Sequence, residues 1–291
     1  MKRILLIAGI IWNNGIGQAQ DEHAHHQNVV TSVETVRSDD KIPPSDEQAK
    51  AALEKSPRHG EFADVKVPGT NDVIRTWVVY PERKDKAPVV IVIHEIYGLT
   101  DWIRAVADQL AKDGYIGVAP DLISGRGPNG GGTDAFTSRD DVVKTIRSLT
   151  SEQVAAKLNA VRAWAVKLPA ANGKSATVGY CWGGARSFEY AAAQPDLNAA
   201  IVFYGTSPDS LTLTKVRAPV LGLYGGDDAR VNVTIEPAAA VMKKLGKVYE
   251  YEIYEGAGHG FLRAQSGRDG ANLKASQKAW PKMLEFLKKS M

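Results

Sequence analysis

The sequence predicts an α/β fold: a mainly parallel central sheet that opens with an N-terminal antiparallel hairpin and carries helices on both faces. Three observations lead to this. From about residue 88 onward, strand-like runs alternate with helix-like runs, the pattern of a parallel sheet wrapped by crossover helices. Pro88-Val-Val-Ile-Val-Ile93 is continuously apolar and β-branched, as expected of a strand buried on both faces. Ahead of it, Phe62–Val67 alternates polar with apolar, and a second β-rich run, Ile74–Tyr80, follows across the turn residues Pro68–Asp72.

The remaining elements follow in order. Trp102–Lys112 has helical spacing, with Ile103, Val106, Ala107 and Leu110 on one face and Gly114 as the stop. Tyr115–Ala119 is a buried strand halted by Pro120-Asp121. The glycine-rich stretch Ser124–Thr133 lacks the Gly-Lys-Ser/Thr ending of a P-loop and the strand-to-helix frame of a dinucleotide fingerprint, so it reads as a flexible loop. A helix over Ser151–Lys167 leads to strand Ala176–Gly179, a helix from about Gly183 to Ala193 and strand Ala199–Tyr204. Strand Val220–Tyr224, a helix near Pro237–Leu245, strand Tyr249–Tyr254 and a closing helix from about Asn272 to Lys289 complete the chain. No internal repeat is visible.

The 291 residues, 44% hydrophobic and 24% charged, have a soluble globular composition and suit one large domain, residues 60–291, with an extension before it. The net charge of +3 is spread along the chain rather than gathered into a stripe, which excludes a nucleic-acid face. Lys2 and Arg3, the apolar run Ile4–Trp12 and the small residues of Gly17-Gln18-Ala19 form a signal-peptide pattern over residues 1–19. The expectation is therefore an exported protein, periplasmic or secreted. The apolar run is too short to span a bilayer, so no membrane span remains after cleavage. Residues 20–59 read as a polar N-terminal arm with one helix around Glu47–Lys55. His23, His25 and His26 lie in this arm, but no Asp, Glu or Cys companion is spaced to complete a metal site.

Three strand ends hold groups with chemistry. Gly179-Tyr180-Cys181-Trp182-Gly183-Gly184 has the form of the nucleophile elbow Gly-x-Ser-x-Gly, with cysteine in the serine position, between a strand and a helix. A sharp turn there exposes the side chain, and the following helix turns its free N–H groups and positive dipole end toward the sulfur. Cys181 is the chain's single cysteine, so it cannot form an internal disulfide. Tyr224-Gly225-Gly226-Asp227-Asp228 follows a strand and offers two adjacent acids, of which Asp228 is the favoured partner for a histidine. Glu255-Gly-Ala-Gly-His259-Gly-Phe261 follows the last strand, and the small residues leave His259 room to enter a shared site. The chain order nucleophile, acid, histidine is that of the α/β-hydrolase fold.

With these residues in view, the chain from about Gly60 onward resembles the dienelactone hydrolase (carboxymethylenebutenolidase) family of the α/β-hydrolase superfamily. The stretches that carry the resemblance are His94-Glu-Ile-Tyr-Gly98, Ala119-Pro-Asp-Leu122, Gly179-Tyr-Cys-Trp-Gly-Gly184, Gly225-Gly-Asp-Asp228 and Gly256-Ala-Gly-His-Gly-Phe-Leu-Arg263. The resemblance implies a catalytic triad of Cys181, Asp228 and His259. It implies a gating role for Glu95, which keeps the thiol neutral until substrate arrives, and an oxyanion hole from the backbone N–H groups of Ile96 and Trp182. It also implies substrate-carboxylate binding by Arg263, with good local agreement, and Arg139, with poor local agreement. The expected reaction opens a lactone or ester through a thioester acyl-enzyme, with no metal or organic cofactor, in a monomer whose partner is a small-molecule substrate. Two rivals stay open: a carboxylesterase or thioesterase for another substrate, and a non-catalytic envelope binding protein on a hydrolase scaffold. The signal peptide, the arm, the glycine-rich loop and the bulk of Trp182 set this chain apart from the simplest members.

Overall fold

The apolar runs of the sequence become the strands of one eight-stranded sheet. The structure, a computed structural model, describes residues 39–291. The expected signal segment and the first part of the arm, including His23, His25 and His26, lie outside those residues.

The strands are β1 (Gly60–Lys66), β2 (Val73–Val79), β3 (Ala87–Ile93), β4 (Ile116–Pro120), β5 (Ala171–Tyr180), β6 (Ala199–Phe203), β7 (Val220–Gly225) and β8 (Tyr249–Tyr254). They lie in the order β1-β2-β4-β3-β5-β6-β7-β8. β1 and β2 form the expected antiparallel hairpin, with Val65 opposite Ile74, and β2 runs antiparallel to β4. All other neighbours are parallel. Alternate residues of β3 feed the cores on the two faces: Val89, Ile91 and Ile93 on one, Val90 and Val92 on the other. Both faces are dry, which is why the run shows no polar alternation.

The helices are α1 (Asp46–Glu54), α2 (Asp101–Lys112), α3 (Arg139–Arg147), α4 (Ser151–Ala165), α5 (Trp182–Ala193), α6 (Ser210–Lys215), α7 (Ala229–Asn232), α8 (Ile235–Lys244) and α9 (Ala271–Ser290). Local chemistry fixes several starts. Thr150 and Gln153 close a capping box on α4, and the Asp209 carboxylate accepts the Thr212 N–H at 2.7 Å to open α6. The sequence reading lacked α3, α6 and α7. Of these, α3 buries only Val142 and Ile146, too thin an apolar stripe to stand out from its charged neighbours.

The glycine-rich loop differs from expectation, and residues 39–59, the described part of the arm, pack against the domain that follows. Ile42 is buried, the Trp102 indole N–H donates to Pro44 O at 3.0 Å, and the Gln265 amide donates to Pro43 O at 2.8 Å. The glycine-rich loop is also tied down at its far end. The Asp121 carboxylate accepts from the Thr133 N–H at 2.6 Å and from its hydroxyl at 2.9 Å, and that hydroxyl accepts the Leu99 N–H at 3.0 Å.

The chain passes from β3 to β4 on one side of the sheet and later returns to β5 on the other side of β3. The carboxyl ends of β3 and β5 therefore flank a topological switch point, where open α/β sheets form their crevice. Gly179 and Gly183 let the two strand ends approach. A Cβ on Gly179 would stand 1.9 Å from Gly183 O, and one on Gly183 would stand 2.3 Å from Ile93 O. The neighbours in both cases are backbone, which cannot rotate away. Gly183→Ala should accordingly destabilise the protein by about 1–3 kcal/mol or more, the range for overpacked sites. Urea unfolding of the parent and variant measures this, and an unchanged midpoint would show that the β3 end yields freely.

Candidate active site

The candidate groups stand just beyond the carboxyl ends of four strands, β3, β5, β7 and β8. Cys181 follows β5 as the residue before α5, with φ 55° and ψ −115°. A non-glycine residue in this region is strained, by about 1–3 kcal/mol, and is held by its surroundings. Here the holders are the Cys181 N–H to Phe203 O bond of 3.0 Å and the bonds from Gly184 and Ala185 N–H to Cys181 O. The turn thus lifts the half-buried thiol above the sheet at the start of a helix, and the Trp182 N–H reaches the sulfur.

His259 and Asp228 meet across the ends of β8 and β7. The His259 Nδ1 donates to the Asp228 carboxylate at 2.5 Å, leaving Nε2 on the far side of the ring. Asp228 is buried, and the Asn232 amide ties its loop by donating to the carbonyls of Gly225 and Gly226. Asp227 points elsewhere and pairs with Arg268 at 2.9 Å, where both side chains are about half exposed, 47% and 53%. The two adjacent acids of the sequence are therefore separated by environment. On the histidine's other side, the buried Tyr204 ring lies edge-on to the imidazole, 5.2 Å between centroids.

Glu95 and Ile96 follow β3 across the crevice from Cys181. The Glu95 carboxylate is buried and faces Arg263 Nε at 2.9 Å. Burial raises its pKa to about 7 against the lowering charge of Arg263; Asp46 adds to the rise, and Arg139 opposes it. The Cys181 thiol is pushed up to about 11, first by burial and then by the Glu95 charge, with the Trp182 N–H pulling the other way. The adjacent His94, also part of the quoted motif, is structural. Its Nδ1 donates to Glu95 O at 2.7 Å and its Nε2 accepts the Leu122 N–H at 3.3 Å, so both nitrogens are used and the ring stays neutral.

Both arginines reach the site. Arg139 is the first residue of α3, and its guanidinium carbon lies 4.3 Å from the centroid of the Tyr97 ring; Arg263 lies 5.6 Å from the same ring. Tyr97, Tyr204 and Asp46 were not singled out from the sequence. Tyr97 could have been, since it sits between Glu95 and Gly98 in the β3 motif. A separate cavity of about 440 Å³, lined by α4, α5 and α6 residues such as Ser151, Arg186 and Glu189, contains none of the candidate groups.

A family model described as "Dienelactone hydrolase family" matches residues 74–291, three quarters of the chain. The chain belongs to the dienelactone hydrolase family. It is a hydrolase of esters or lactones. A protein of Escherichia coli K12 named "Putative carboxymethylenebutenolidase" is 31% identical over 234 residues, spanning 76% of this chain and 84% of that one. A Saccharolobus solfataricus protein of the same name is 29% identical over 248 residues, spanning 74% and 94%. The crystal structure of a "Putative Dienelactone Hydrolase" from Klebsiella pneumoniae superposes with a TM-score of 0.67 at 27% identity, covering 78% of this chain and 98% of that one. The α/β-hydrolase fold expected from the sequence is the fold observed. Among the described residues, no helix is long and apolar enough to cross a membrane.

A thiol pushed up to about 11 is protonated at neutral pH, so the nucleophilic thiolate is scarce in the resting hydrolase. Alkylation of Cys181 by iodoacetamide should be slow at pH 7 and accelerate as pH rises toward that value. Glu95→Gln removes one of the raising charges and should speed alkylation at each pH, though not to the rate of a free thiol, because burial is the larger cause. A pH series on both proteins tests this. Equal rates throughout would show that Glu95 does not restrain the thiol.

Proposed function

We propose that the protein opens a lactone or ester by acyl transfer to Cys181, with His259 and Asp228 completing the triad and a thioester as intermediate. The observation that carries this reading is the 2.5 Å bond from His259 Nδ1 to the buried Asp228 carboxylate, at the strand ends that also present Cys181 on its strained turn.

In the resting state the sulfur keeps its proton. As substrate enters, the thiol proton passes to the Glu95 carboxylate and the sulfur attacks the carbonyl carbon. The developing oxyanion is received by the N–H groups of Ile96 and Trp182, each such donor contributing about 3–4 kcal/mol in comparable sites. Collapse breaks the bond to the alkoxy oxygen, which takes the proton held by Glu95 and, in a lactone, remains tethered to the acyl group. His259, oriented by Asp228, then removes a proton from water. The water oxygen attacks the thioester carbonyl, the sulfur leaves and takes the proton held by His259, and the carboxylic acid departs with the thiol restored. Export belongs to the same proposal and rests on the residue pattern Lys2 to Ala19. A mature chain beginning near Gln20 in envelope fractions supports it, and an intact chain in the cytosol overturns it.

Cys181→Ala should lower kcat/KM for 4-nitrophenyl acetate by about 10³-fold or more while leaving the fold intact, because triad members act as a unit. Asp228→Asn should be far more damaging than Asp227→Asn, whose side chain faces Arg268. Near-parental activity in a folded Cys181→Ala protein would overturn the assignment, and the reverse ranking of the two aspartates would move the acid by one residue.

A further inference from the structure

Arg263 has two carboxylates on one guanidinium. Its Nε faces Glu95 at 2.9 Å, and its Nη1 faces Asp46 at 3.2 Å. Asp46 comes from α1, outside the stretch matched by the family model, which begins at residue 74. Solvent-exposed ion pairs are often worth little because two mobile side chains must be ordered. This one is prearranged. The Asp46 backbone N–H donates to the Arg263 carbonyl at 3.0 Å, so the same two residues are joined by main chain and side chain. The Pro43 and Pro44 carbonyls, fixed by Gln265 and Trp102, hold the approach to α1.

A guanidinium grips a carboxylate through a pair of parallel N–H donors. Two such forks exist, Nε with Nη2 along the side and Nη1 with Nη2 at the end. The Glu95 carboxylate lies against Nε of the first at ion-pair distance, without the N–H aligned for a hydrogen bond, and Asp46 accepts from one donor of the second. A substrate carboxylate would find the side fork covered by Glu95 and the end fork lacking Nη1, and it would arrive beside the Asp46 carboxylate. Arg139 does not replace the loss. It is exposed, lies over the Tyr97 ring, and offers a single cation at the rim.

We propose that Asp46 is a specificity-determining residue: by occupying Arg263 it withholds the guanidinium from substrate carboxylates and selects esters or lactones whose acyl part is uncharged. The proposal rests on the hydrolase reading given above and narrows its substrate class.

Two esters with a common leaving group test it, neutral 4-nitrophenyl butyrate and anionic mono-4-nitrophenyl succinate. The parent should favour the neutral ester in kcat/KM. Asp46→Asn, nearly isosteric, should shift the ratio toward the anionic ester by about tenfold or more, equivalent to about 1.4 kcal/mol, mainly through KM. Asp46→Ser should do the same, and adding Arg263→Gln should reverse the gain. A parent that already prefers the anionic ester, or a ratio unmoved by both Asp46 variants, overturns the proposal. Calorimetric binding of monomethyl succinate to the Cys181→Ala protein provides a readout without turnover. Affinity should rise about tenfold when Asp46→Asn is added and fall again with Arg263→Gln; equal affinities overturn the proposal. If neither ester is hydrolysed by the parent, the hydrolase reading fails on its own, and the calorimetry still decides the role of Asp46.

Discussion

The site depends on one close approach of backbone to backbone, where α5 begins against the carboxyl end of β3. Gly179 and Gly183 leave no room for a side chain between the elbow and the Ile93 carbonyl. That contact places Cys181 beside the turn that bears Glu95 and Ile96. The parallel pairing of β3 with β5, Ile93 beside Gly179, sets the register of the two loops. A bulkier elbow would tilt α5 away from the sheet, and the thiol, the helix N-terminus and the buried carboxylate would no longer share one crevice.

Within that crevice, burial sets the electrostatics more than any single charge does. It is the leading cause of the raised pKa of both Glu95 and Cys181. Both groups therefore hold their protons to higher pH than they would in water, Glu95 to about 7 and Cys181 to about 11. Arg263 tempers Glu95, and Asp46 competes for that same arginine. The site is thus a chain of linked charges, Cys181 to Glu95 to Arg263 to Asp46, in which the last member stands on a helix ahead of the sheet.

Most of the sheet was legible from sequence because a strand with two dry faces reads as an unbroken β-branched run, as Val89–Ile93 does. The elbow was legible because the glycines are demanded by sterics at fixed offsets from Cys181, and His259 because small residues flank it on both sides. What was not legible has physical reasons. Helix α3 buries two apolar residues and carries charge elsewhere, so its period is faint, and the position of Arg139 at its start could not be derived. The separation of Asp227 from Asp228 depends on Arg268, which approaches from another loop. Asp46 and Arg263 are 217 residues apart, and nothing in the local composition of either announces the other. The glycine-rich loop read as flexible because its anchor, Asp121, precedes it and holds Thr133 through side-chain bonds that composition does not encode.

The strand order also has a consequence for how the molecule tolerates crowding. Among the described residues, a sheet with β1 at one border and β8 at the other leaves two rows of backbone donors and acceptors unpaired within the sheet, a template on which a foreign strand can assemble. Both borders are charged along their length: β1 carries Glu61, Asp64 and Lys66, and β8 carries Glu250 and Glu252. Two β8 borders brought together would set glutamates against glutamates, and a passing chain would have to strip water from carboxylates before it could zip on. The acidic border acts as a guard against fibre growth, built into a strand that also completes the approach to His259.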